Sequence, residues 1–97
     1  MVSVSIKPST SKGKKYMAVF TDKDGKKTKT THFGAAGMSD FTKNKDEKRK
    51  ASYLARHKTT ENWNNYESAG ALSRWILWNK TSLSSSIASY KKKFNLS

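Results

Sequence analysis

Apolar and polar positions alternate with period two at the start of the chain. Val2, Val4 and Ile6 interleave with Ser3 and Ser5, which predicts a half-buried strand that Pro8 and the Ser-Thr-Ser-Lys-Gly stretch to Gly13 bring to an end. A second strand is expected over Lys15–Thr21 (KYMAVFT), with Tyr16, Ala18 and Phe20 on one face and Met17 and Val19 on the other. Asp22 to Gly25 supplies Asp-Gly turn chemistry, and Lys26–Phe33 (KKTKTTHF) returns as the partner strand. There Lys27, Lys29 and Thr31 share one face and Thr28, Thr30 and His32 the other. The reading places Thr hydroxyls across from the inner face of the second strand and the Lys row toward solvent.

Gly34, Ala35, Ala36 and Gly37 punctuate a change to helical spacing. A first helix is expected over Lys45–Lys58, capped by Asn44 with Glu47 at capping-box distance, and with a narrow apolar stripe of Ala51, Leu54, Ala55 and Tyr53. Ser68 is placed to cap a second helix over Ala69–Asn79, the most apolar segment, carrying Leu72, Trp75, Ile76 and Trp78. Thr81 or Ser82 caps a third, in which Leu83, Ile87, Tyr90 and Phe94 fall on one stripe. The expected fold class is α+β: one domain over 1–97, with a small antiparallel sheet of two or three strands in 1–37. Three helices follow in 38–97, the last two packed on the sheet.

Composition changes this picture in one respect. The 97 residues carry 20 Lys+Arg against seven Asp+Glu, a formal net charge of +13. The excess is spread: eight Lys against two Asp in 1–37, seven basic against three acidic in 38–60, five against two in 61–97. An evenly basic fold suits a broad contact with a polyanion better than a single polybasic anchor does. An aromatic content of 11% argues for a core rather than a disordered polycation. The absence of cysteine excludes disulfides and thiolate zinc sites and fits a reducing compartment. No run of about 18 apolar residues occurs, so no transmembrane helix is expected, and the MVSVSIKPS start does not resemble a signal peptide.

Cations fall into groups that a phosphate backbone would fit. Lys45, Arg49 and Arg56 share a face of the first expected helix, with Lys48 one turn along and Lys58 at its end. Lys27 and Lys29 stand on the hairpin, and Lys91, Lys92 and Lys93 close the last helix, where its dipole favours them. Arg74 is either a partner of Glu61 or Glu67 or a further phosphate contact. Gly34 and Gly37, three apart, either form an anion-binding nest of N–H groups or relieve crowding in a strand-to-helix turn. Trp63, in the Asn-rich segment Glu61–Asn65, and Trp78 are either core residues or platforms for bases, the core being favoured. His32, His57, Asp40 and Glu61 are the candidates for acid, base or metal-ligand chemistry. They form no evident nucleophile–base–orienter set, so neither an enzyme nor a cofactor is expected.

Several blocks together carry a resemblance: HFGAAGMSDFT from His32 to Thr42, KDEKRK from Lys45 to Lys50, YLARH at Tyr53–His57 and ENW at Glu61–Trp63. Further along stand Ala69-Gly70, SRWILWNK at Ser73–Lys80, Ser86-Ile87 and Lys93-Phe94. Over about residues 15 to 95 they resemble a family of short basic proteins of uncharacterised role, encoded by nucleocytoplasmic large DNA viruses such as Marseillevirus and mimivirus relatives. The resemblance implies viral origin and work in the virion or in the infected cell, nucleus or cytoplasm. The expectation is non-enzymatic nucleic-acid binding, DNA ahead of RNA, mostly through phosphates and without strong sequence preference. The alternatives are a module that binds an acidic host or viral protein and, third, a metal-dependent nuclease. A homodimer through the sheet edge is compatible with either binding role.

Overall fold

In the computed structural model, which describes residues 2–59 and 62–97, the period-two segments form one antiparallel sheet in the order β1 (Ser3–Pro8), β2 (Lys14–Thr21), β3 (Lys27–Ala35). Val4 lies opposite Phe20 and Ile6 opposite Ala18, so the apolar sides of β1 and β2 share a face. Ala18 and Phe20 are fully buried beneath the helices. At the β2–β3 turn the Asp22 carboxylate accepts N–H bonds from Asp24 and Lys26, and Gly25 takes the positive φ of 83° that the turn requires.

The faces of β3 are the reverse of the expectation. Tyr16 pairs with Phe33 and Ala18 with Thr31, which puts Thr31 and Phe33 on the core side and Thr30 and His32 on the outer side. Phe33 is fully buried, and the Thr31 hydroxyl donates to the Glu67 carbonyl at 2.8 Å. A bulge between Phe20 and Thr21 sets Lys29 opposite Phe20 but Lys27 opposite Thr21, so the two lysines stand on opposite faces, both exposed. One buried aromatic and the turn register therefore outweigh the Thr pattern.

Four helices follow: α1 (Phe41–Asn44), α2 (Glu47–His57), α3 (Ala69–Leu72) and α4 (Leu83–Lys93). A π turn (Ser73–Leu77) continues α3, and the Trp78 N–H closes it on the Ser73 carbonyl at 3.0 Å. The helix expected over Lys45–Lys58 starts two residues later, as α2, and the short α1 precedes it, because three capping side chains stand close together. Asp40 caps α1, the Asn44 amide oxygen accepts from the Asp46 N–H, and Asp46, not Asn44, caps α2 by accepting from Lys48 and Arg49. Lys45 lies between the two helices in the left-handed region at φ 52°. Ser68 caps α3 as expected, and of the two candidates Thr81 and Ser82 it is Ser82 that caps α4.

The core joins Val4, Phe20 and Phe33 of the sheet to Leu72, Ile76 and Leu77 of α3 and its π turn, and to Tyr90 and Leu96. The Tyr90 hydroxyl donates to the Tyr66 carbonyl at 2.6 Å. The helical segments thus cover one face of the sheet, α3 with its π turn and α4 supplying the apolar contacts. Past α4, Asn95 takes φ 54° and the Leu96 N–H returns to the Lys91 carbonyl, a Schellman-type stop. Ser97 then pairs with β1, donating to the Val2 carbonyl and accepting from the Val4 N–H. The radius of gyration is 13.0 Å, about that of a compact domain of 100 residues. Among the described residues no helix is long and apolar enough to cross a membrane.

Candidate functional site

α2 presents its charged side outward. Lys48, Ser52 and Arg56 follow at four-residue steps with Arg49 beside them, and all four are exposed. Of the expected stripe of Ala51, Leu54, Ala55 and Tyr53, Tyr53 is buried, Leu54 is half-buried, and Ala51 and Ala55 are exposed. The Tyr53 ring stacks on Trp78 at 4.6 Å with 9° between planes, and on His57 at 4.3 Å. Lys50 also turns inward, donating to the Asn79 carbonyl at 2.8 Å and standing over the Phe41 ring. An aromatic stack, rather than an aliphatic stripe, fixes this helix to the body.

Between α2 and the segment that leads from β3 into α1 lie two adjoining cavities. The larger, of about 430 Å³, reaches from Lys14 and Gly34 past Asp40 to Tyr53, His57 and Trp78. The smaller, of about 260 Å³, lies among Met38, Ser39, Lys48, Arg49, Arg56 and Trp78. Met38, Ser39, Arg56 and Trp78 line both, so they form one groove. Asp40 in its wall accepts from Lys15 Nζ at 2.6 Å, and its other oxygen accepts from the Thr42 N–H and hydroxyl.

Of the cations singled out in the sequence, the fold gathers Lys48, Arg49 and Arg56 at this groove. Lys45 is exposed but has left the helical face, since it sits between α1 and α2. Lys58 is exposed at the end of α2. Lys27 and Lys29 are on the hairpin. Lys91 is half-buried and Lys92 and Lys93 exposed in the last turn of α4, with Lys93 Nζ 4.4 Å from the Trp75 ring centroid. Arg74 is a half-buried structural residue: its guanidinium lies 4.1 Å from the Trp75 ring centroid and 5.5 Å from that of Trp63, and donates to the Trp78 carbonyl. Burial pushes the Arg74 pKa below its ordinary value, with a smaller opposing effect from Tyr53.

Gly34 and Gly37 both have positive φ, 79° and 83°. Gly34 serves close packing, because a Cβ there would meet Leu77 Cδ1 at 2.8 Å. The N–H groups that flank Gly37 are committed, Ala36 to the Gly13 carbonyl and Met38 to that of Ala35, a turn more than an anion nest. Trp63 is half-buried and its carbonyl accepts from the Trp75 indole. The neighbouring amides bind backbone, Asn62 to the Asn64 N–H and Asn65 to that of Glu67. Glu61, named above as a partner for Arg74 and as a candidate for acid, base or metal-ligand chemistry, lies outside the described residues. Among the described residues no three His, Asp or Glu side chains converge as a metal site. Sequence reasoning missed Lys14, Met38 and Ser39 as groove residues; an unprotected Met next to a glycine turn was the available signal.

The chain belongs to a family of unknown function (DUF5754), whose model matches residues 4–57. That stretch runs from β1 to the end of α2 and so contains Met38 and the basic helix face, but not Trp78. No curated protein and no solved structure matches the chain.

Proposed function

We propose that this member of the DUF5754 family binds nucleic acid through its phosphates, with little sequence preference and with DNA ahead of RNA. The observation that carries the reading is how the acidic side chains are used. Asp22, Asp40 and Asp46 all accept backbone N–H bonds at turns or helix starts, and among the described residues Lys15–Asp40 is the one ion pair. These three carboxylates hold backbone, and the +13 is an excess that the seven acidic residues could not neutralise in any arrangement. Phosphates would neutralise it, and Lys48, Arg49 and Arg56 stand exposed along one helix side on which a backbone can lie.

Titration of duplex DNA at several salt concentrations tests this. The logarithm of affinity is expected to fall linearly with that of salt, and replacing Lys48, Arg49 and Arg56 together by Gln should flatten the slope by about 3, nearly one per contact. The loss should be uniform across DNA sequences. Absence of binding at low salt would overturn the proposal. A nucleic-acid-free preparation that instead captures one acidic protein would favour a protein partner.

A further inference from the structure

Among the described residues Met38 is the one large hydrophobic side chain left exposed, at 64%. It is not part of the core, and it lines the groove together with Trp78. Of the three stacked rings, Trp78 alone reaches the smaller cavity, so the column His57–Tyr53–Trp78 meets that space at the indole. No carboxylate lines the smaller cavity, and Asp40 in the larger one is paired with Lys15. An indole and a thioether flanked by three cations suit a ligand that is flat, aromatic and attached to anions.

We propose that this groove seats one unpaired nucleobase. The base extends the stack at Trp78 and is covered by Met38, and the phosphates on either side of it lie on Lys48, Arg49 and Arg56. The inference rests on the phosphate-binding reading and adds a preference for unpaired over fully paired strands, since a base inside a duplex cannot enter. The seat, of about 260 Å³, opens into the adjoining cavity of about 430 Å³.

The decisive comparison uses two single-stranded probes of equal length and charge: oligodeoxythymidylate and the same backbone with every base replaced by an abasic tetrahydrofuran unit. Fluorescence anisotropy at one salt concentration is expected to show the base-bearing strand bound about tenfold more tightly, the worth of one good base–aromatic contact. Met38→Ala, at an exposed position, should bring that ratio below about threefold while leaving affinity for the abasic strand unchanged. Equal affinity of the wild-type protein for both strands, or a ratio that Met38→Ala leaves intact, overturns the base seat and leaves the phosphate reading standing. Failure to bind either strand overturns both.

Discussion

Removing the charge of Lys15 tests how the groove wall is held. Lys15 Nζ and Asp40 Oδ2 are 2.6 Å apart, and the two side chains are 9% and 3% exposed. Lys15→Met keeps most of the aliphatic stem and leaves Asp40 a buried carboxylate with only its Thr42 bonds. Breaking a buried pair from one side costs about 3–5 kcal/mol. Because the Thr42 bonds survive, the lower figure applies, and Lys15→Met should lose about 3 kcal/mol, much of the stability of a small domain. Adding Asp40→Asn removes the stranded charge while an amide oxygen remains to cap α1, so the double variant should lose only about 1 kcal/mol. With a urea slope of about 1 kcal/mol/M, the midpoint falls by about 3 M in the single variant and about 1 M in the double. A single variant within about 0.5 kcal/mol of wild type, or a double variant less stable than Lys15→Met alone, would refute the argument.

Gly34→Ala and Gly37→Ala share the cost of a positive φ, but only at Gly34 does the new Cβ meet another side chain, Leu77. Chemical denaturation should show a loss of about 1 kcal/mol at Gly37 and about 2 kcal/mol at Gly34; equal losses would remove the packing role. Burial first, then the nearby Tyr66 and Glu67, raise the Tyr90 pKa above its ordinary value. The neutral phenol is therefore the form the fold favours. Its contribution is whole below the unfolded value of about 10 and declines above it as the unfolded chain ionises, by about 1.4 kcal/mol per pH unit. Wild type should exceed Tyr90→Phe in stability at pH 8 and lose that advantage above about pH 10, measured by urea unfolding at each pH; a constant difference would show that Tyr90 titrates alike in both states.

The strands were legible because Val4, Ala18 and Phe20 mark their inner faces by alternation alone. β3 was not, since Phe33 is its one large apolar residue and its inner face depends on the register imposed by the Asp22–Gly25 turn and the bulge. The start of α2 was misplaced because Asp40, Asn44 and Asp46 are each competent caps, and only the left-handed turn at Lys45 distributes them. Ser68 has no such rival, and of Thr81 and Ser82 it is Ser82 whose hydroxyl caps α4. Lys48, Arg49 and Arg56 could be placed together from helical spacing, whereas Met38 and Trp78, 40 residues apart, meet in one groove only through tertiary packing. The position of Trp78 also depends on a π turn, whose longer hydrogen bond has no local signature.

That π turn holds one residue more than an α-helical turn would between the Ser73 carbonyl and the Trp78 N–H. Deleting a single residue within Ser73–Leu77 would let the same carbonyl and N–H close an ordinary α-helical turn, so the side chain that follows would keep nearly its direction around the axis. In a homologous chain with that segment one residue shorter, an aromatic side chain aligned with Trp78 would still face Tyr53. The wide turn therefore absorbs the extra residue, and the stack depends on the identity of its rings more than on the length of the segment before them. A chain lacking one residue of 74–76 would keep the groove, since Ser73, Leu77 and Trp78, which line it, all remain.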